Sequence, residues 1–354
     1  IYSEDTIRAK SAMTYYYMAI NLGGLLATVV APTLLDSPYG PLSVFAMTFL
    51  GKSIAALNFA KRYALYDNAI WGKDRLPFAR KDVMILILYL CLIYALTLFA
   101  YLHVSRASFW ITLGCALGIL GFFISTLRLK GKVRFKQLTA ILLIFEAVVF
   151  FIIYNQMNST LILFAKNNSD LNFLGLTISP AQYQMLNPLL ILIIGTQLPK
   201  FYRYFSNFTI PYQFAAGTAL AGLALLVMAF AATQALDGIV NGNYVALTYV
   251  LISLAELWVS AIGLSMIGLY CDEKTIALAM GVWYLASSMS NTISGRIAGL
   301  VAIPKDIISP VVRLSYYHNY YLIMGLSALL LGAVMFLVAY YLQKMMHHRG
   351  IEVV

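Results

Sequence analysis

Charge is what this chain has least of. Only 11% of its 354 residues are Asp, Glu, Lys or Arg, while 61% are hydrophobic and mean hydropathy is +0.80. A soluble domain carries about 25% charged residues, so a surface that faces water on every side is excluded. Cysteine is nearly absent as well. Cys91, Cys115 and Cys271 show no metal-ligand spacing. Cys91 and Cys115 lie in apolar runs and read as buried small residues, and Cys271 falls at a cytoplasmic helix end where a disulfide is not expected. The four histidines, His103, His318, His347 and His348, read as loop or tail residues, and none sits with a Cys or carboxylate at ligand spacing. No glycine-rich phosphate cradle appears. Enzymatic chemistry, a metal and a cofactor are therefore not expected.

What the chain has in abundance is apolar runs near 20 residues, the length that crosses a hydrocarbon core of about 30 Å. Reading them between charged loops predicts ten helices, near 9–34, 41–61, 83–102, 107–127, 137–163, 180–199, 210–235, 243–269, 275–303 and 317–342. The fold class is all-α integral membrane. The opening stretch Ile1–Lys10 is polar and carries no signal-peptide pattern. The chain is expected to begin within a longer fold.

A net charge of +10 would suggest nucleic acid in a soluble protein, but here the basic residues crowd into a few short loops. One side collects 18, most of them in the 61–81 and 128–136 loops, against Arg106, Lys166, Lys305 and Arg313 on the other. The asymmetry is that of a multi-pass protein whose basic loops stay in the cytoplasm, and no nucleic-acid partner is expected. The same loops divide the chain. Residues 1–62 hold two helices, 63–136 a linker with an inserted two-helix hairpin, 137–345 a six-helix block and 346–354 a cytoplasmic tail. Six helices is the size of one half of a major facilitator transporter.

Four charged side chains fall inside the predicted spans: Lys52, Glu146, Glu256 and Arg296. Such groups are costly in hydrocarbon and tend to face cavities or partners. Glu256 lies close to mid-membrane, with Ser253 and Ser260 on its helical face at spacings of three and four. A carboxylate there can take a cationic substrate group or a proton. Glu146 stands among apolar neighbours, and structural and functional roles are both open for it. Lys52 and Arg296 have stems long enough to snorkel to an interface. Asn21 interrupts an apolar stretch, and Asn187 precedes Pro188, where a helix must release a backbone carbonyl and bend.

Several stretches together carry a family resemblance. Tyr16-Tyr17-Met-Ala-Ile-Asn21-Leu-Gly-Gly24 is similar to the fifth-helix signature of the proton-dependent oligopeptide transporters, and Phe151-Ile-Ile-Tyr-Asn155-Gln156-Met-Asn-Ser-Thr160 resembles their seventh helix. Tyr183-Gln-Met-Leu-Asn187-Pro188 resembles the eighth, Glu256-Leu-Trp-Val-Ser260-Ala-Ile-Gly-Leu-Ser265 the tenth, and Met280-Gly-Val-Trp283-Tyr-Leu285 the eleventh. Order and spacing agree along the whole chain, and the likeness is strongest to bacterial dipeptide and tripeptide permeases.

The resemblance implies a major facilitator fold with ten transmembrane helices present of an expected fourteen. The first four, with their Glu-x-x-Glu-Arg motif and a fourth-helix lysine, would lie outside this sequence. It implies that Asn21, Asn187 and Glu256 hold a peptide's amino terminus, that Tyr17 meets the peptide backbone, and that Phe151, Ser260 and Trp283 line side-chain pockets. Many relatives carry Glu-Gln where this chain has Asn155-Gln156. The function implied is proton-coupled symport of di- and tripeptides across the inner membrane, with peptide, protons and the lipid bilayer as partners. Two alternatives stay open on the residues alone. One is a related carrier for another small metabolite, and the other is a non-transporting membrane subunit or binding platform.

Overall fold

The computed structural model describes residues 6–67, 79–197, 204, 208–301, 303, 304, 307 and 309–351. They fall into two compact units, Ile1–Ser108 and Phe109–Val354. The first unit opens with α1 (Thr6–Leu35) and α2 (Pro41–Lys61), which pack on each other. Their connection is short because Gly40 takes a left-handed φ of 51°, and the Ser43 hydroxyl donates to the carbonyls of Leu34 and Gly40 at 2.7 and 2.6 Å. Pro41 stands at the first turn of α2, where its missing N–H costs nothing. The single turn α3 (Ala64–Asp67) follows, then α4 (Arg80–Leu102), which buries no residue. Lys73 and Arg75 of the basic linker lie outside the described residues.

From Phe109 onward α5 (Val104–Leu127) belongs to the second unit. Its Thr112 hydroxyl meets that of Thr292 at 2.8 Å, and Gly118 lies against Leu285. Next comes α6 (Gly131–Tyr154), a 3₁₀ turn over Asn155–Asn158 and α7 (Thr160–Asn168). A two-stranded hairpin, β1 (Asn172–Phe173) and β2 (Leu176–Thr177), leads to a second 3₁₀ turn, Pro180–Met185, and α8 (Leu186–Ile194). The unit closes with α9 (Ile210–Thr233), α10 (Gly242–Tyr270), α11 (Ile276–Gly299) and α12 (Pro310–His348).

Eight helical stretches among the described residues are long and apolar enough to cross a membrane. The broken Pro180–Ile194 stretch and α11 complete the ten. The Ser, Thr and Asn residues of α11 between Ser287 and Ser294 lower its hydropathy. Three departures from the sequence expectation have physical causes. The predicted 137–163 helix is two helices, because the polar run Asn155–Ser159 finds side-chain partners that replace its backbone ladder. The predicted 317–342 helix runs over Pro310–His348, about 58 Å at 1.5 Å per residue, well past a hydrocarbon core. His318 is consequently helical, and its Nδ1 meets the Ala229 carbonyl at 2.9 Å. Cys91 is exposed rather than buried, since α4 packs no residue away; Cys115 is buried as expected. Cys271, just past α10, is buried too, which pushes its thiol up to about 12 and keeps it inert.

The seam between α9 and α12 is the most extensive helix pair. It is lined by small residues, the device that lets helices approach where water offers no driving force. A methyl group built on Gly222 would stand 2.9 Å from the Ala328 Cβ, one on Gly325 2.7 Å from Leu226, and one on Gly332 2.9 Å from Ala219. Gly325→Leu should therefore force the seam apart at a cost of about 1–3 kcal/mol, whereas Gly121→Leu enters open space. Thermal unfolding of the purified protein should show a lowered midpoint for the first and little change for the second.

Candidate functional site

Two helix breaks face one continuous helix. Gln156 sits in the break after α6 and is fully buried. Its amide donates to Ser294 Oγ on α11 at 2.9 Å and to the Ile152 carbonyl at 3.0 Å. Its carbonyl oxygen accepts from Thr160 at 2.9 Å and from the Tyr320 hydroxyl of α12 at 2.7 Å. One glutamine thus ties three helices at the point where the backbone ladder stops. The Met157 carbonyl, freed by the same break, accepts from the Tyr249 hydroxyl of α10 at 2.6 Å.

With the break pinned in this way, Tyr154 at the end of α6 is directed to Glu256, its side chain within hydrogen-bond reach of the carboxylate. The second break delivers Asn187, whose Nδ2 donates to Glu256 Oε2 at 2.5 Å and lies 3.1 Å from Ser253 Oγ. Ser253 in turn donates to the Tyr249 carbonyl at 2.7 Å, and the Tyr249 ring stacks on Tyr183 with centroids 6.1 Å apart. Pro188 explains why Asn187 can sit here: it cannot continue the helical ladder, so the chain enters α8 through a tighter turn. Glu256 stands about 21 Å along the 29-residue α10, near its middle. The carboxylate is half-buried, and its hydrogen-bond partners among the described residues are neutral.

An aromatic group borders this polar cluster. Phe151 and Trp283 meet edge to face with centroids 5.7 Å apart, and Phe214 meets the indole at 6.3 Å. Both Phe151 and Trp283 are buried. The indole lies over Gly263, where any side chain would collide with it. Ser260 is half-buried one turn from Glu256 on the same helix.

Of the residues singled out in the sequence, Asn187 and Glu256 are thus in direct contact, as are Phe151 and Trp283. Asn21 is buried on α1 in the first unit. Tyr17 is on α1 too, but its side chain lies outside the described residues. Lys52 and Arg296 are both exposed. Asn155 is on the far side of the break from Glu256 in bonding terms, donating to Asn291 Oδ1 at 2.5 Å. Tyr154, Tyr249 and Tyr320 escaped the sequence reading because a tyrosine in an apolar span looks like any core aromatic. Gln156 was visible only as part of a polar run.

A polytopic helical bundle with a half-buried carboxylate at mid-span, bracketed by two broken helices, is the architecture of a membrane transporter. The model of the POT family matches residues 1–314. Dipeptide and tripeptide permease A of Chromobacterium violaceum is 32% identical over 352 residues, 97% of this chain and 70% of that protein. The permease of the same name from Klebsiella pneumoniae is 33% identical over 347 residues, 97% and 69% of the respective chains. Among solved structures, tetrameric PepTSo2 superposes with a TM-score of 0.80 at 26% identity, over 95% of this chain and 72% of that one. A bacterial homologue of the human peptide transporters PepT1 and PepT2 gives 0.78 at 27% identity, over 95% and 72%.

The chain belongs to the POT family. It is a multi-pass inner-membrane protein of major facilitator fold.

The Gln156 hub makes a direct prediction. Gln156→Leu would leave the Thr160, Tyr320 and Ser294 hydroxyls short of a partner, and an unsatisfied buried polar group costs about 1–3 kcal/mol. Tyr320→Phe removes a single hydroxyl from the same oxygen. Unfolding midpoints should fall markedly for the first and only slightly for the second.

Proposed function

We propose that this chain forms the greater part of a symporter that moves di- and tripeptides together with protons across the inner membrane by alternating access. The observation that carries this reading is Glu256, a mid-span carboxylate whose partners Asn187 and Tyr154 are both neutral. Such a group is short of positive charge. A peptide's ammonium supplies it and brings three N–H donors for the acceptors gathered there. Free carboxylate in a half-buried setting is costly, so a cationic ligand is drawn in by what the site lacks. The family membership and the permeases with which the chain aligns support the same substrate class.

Within this reading Asn187 and Glu256 hold the amino terminus. Ser260 and the Phe151–Trp283 pair bound the space for side chains. Aromatic and apolar walls tolerate side chains of different size at modest cost, which suits a carrier of varied peptides. Residues 1–62 contribute two helices to the amino-terminal bundle, 63–136 the linker and inserted hairpin, 137–345 the carboxy-terminal bundle, and 346–354 the cytoplasmic tail.

Two outcomes test the proposal. In membrane vesicles carrying the full protein, uptake of a labelled dipeptide should be inhibited by unlabelled dipeptides and tripeptides and scarcely by single amino acids. Equal competition by single amino acids would point to another solute. Removing the charge at constant shape, as Glu256→Gln, should leave an arriving ammonium without its counter-ion. Losing one member of a buried charged pair costs about 2–5 kcal/mol, at least about tenfold in affinity. An N-acetylated dipeptide carries no ammonium and should lose far less. A loss equal for both ligands would remove Glu256 from the amine site.

A further inference from the structure

Glu146 is the second carboxylate within the bundle, and nothing above uses it. It is only 4% exposed, and neither of its oxygens has a hydrogen-bond partner among the described residues. Thr218 on α9 is the polar group that faces it, short of hydrogen-bond geometry, and the Thr218 hydroxyl is likewise buried without a partner. Two orphaned polar groups therefore confront each other across the α6–α9 interface. Around them α6 contributes fully buried Leu143, Ala147 and Phe150, and α9 contributes Phe214 and Ala221.

No counter-ion to Glu146 is found among the described residues. On α10, Tyr249 and Glu256 are engaged with Met157 and Asn187, near the break that ends α6. Arg296 on α11 is two residues from Ser294, which bonds the same break. On α12, Tyr320 bonds Gln156, while Tyr317 and Tyr321 pack on Phe164 of α7. On α9 itself, Tyr212 turns to Phe336 of α12. At the other end, Asp272 sits beside Gln137 through its backbone, about 14 Å along α6 from Glu146. Lys132, Arg134 and Lys136 precede it by a further fraction of a turn to more than a turn. Cys115 of α5 is neutral and buried.

An isolated carboxylate so placed would cost many kcal/mol, whereas the neutral acid costs far less. We infer that Glu146 is a proton-carrying residue of the carboxy-terminal bundle, loaded as the carboxylic acid while α6 and α9 are packed as here and emptied when that interface opens. In the emptying step the O–H bond breaks, the proton passes to water admitted between the helices, and the carboxylate keeps the electron pair and takes solvent and the Thr218 hydroxyl as donors. Repacking requires the proton to return. The protonation state is thereby tied to a helix movement, which is what coupling a proton to transport needs. This inference rests on the symport reading above.

The test uses the full protein in liposomes. Glu146→Gln imitates the loaded acid and cannot release a proton. Exchange of labelled for unlabelled dipeptide with no imposed gradient should stay near the unmutated rate, while uptake driven by a proton gradient should fall about tenfold. Gradient-driven uptake equal to that of the unmutated protein would overturn the inference. Absence of peptide exchange in the unmutated protein would instead overturn the substrate reading. A second measurement needs no variant. A hydrophobic carbodiimide reacts with a carboxylic acid in its protonated form, so peptide mapping of the unmutated protein should find an adduct at Glu146 that diminishes in alkaline buffer. Glu146 unlabelled in acidic buffer, or labelled to the same extent in both, would show that it carries no exchangeable proton.

Discussion

Backbone satisfaction in a medium without water governs this structure. A peptide N–H or C=O in hydrocarbon has no solvent to turn to, so the chain must stay helical or find a replacement for every group it releases. At the end of α6 the replacements are side chains from three other helices. Gln156 and Ser294 take the Ile152 carbonyl, Tyr249 takes that of Met157, and Tyr320 closes the remaining acceptor of Gln156. The break is therefore a junction as strongly held as the helices on either side of it.

Those same bonds build the site. Tyr249 serves the α6 break with its hydroxyl and receives Ser253 at its carbonyl, and Ser253 and Glu256 share Asn187. A structural repair at one helix end and a mid-span carboxylate are thus parts of one network, four hydrogen bonds apart. Movement at the break would be felt at Glu256, because fully satisfied buried networks transmit displacement rather than absorb it.

The bundle treats its two carboxylates in opposite ways. Glu256 has Asn187 and Tyr154 as donors and is partly open, so part of the cost of its charge is offset and a cation would offset the rest. Glu146 is closed off among apolar side chains, faced by the Thr218 hydroxyl but with no hydrogen bond formed among the described residues, conditions that favour a neutral acid. Small residues make that closure possible. Gly217 lets α9 lie so close to α10 that any added side chain would stand 2.6 Å from Val259, next to Thr218 itself.

Much was legible in the sequence. Long apolar runs and a scarcity of charge dictate membrane helices, since nothing else buries that many residues of a 354-residue chain with so few charges to face water. The basic loops carried an expected orientation. Glu256 and Asn187 stood out because a charged or proline-broken position in hydrocarbon needs a reason. What the tertiary structure decided was partnership. That the polar run Asn155–Ser159 would break a helix, that Tyr154 would turn to Glu256 while Asn155 turned to Asn291, and that Glu146 would face Thr218 among apolar side chains all depend on which helices lie alongside. Helical periodicity specifies a face but not the neighbour it meets, and a buried polar group takes its character from that neighbour.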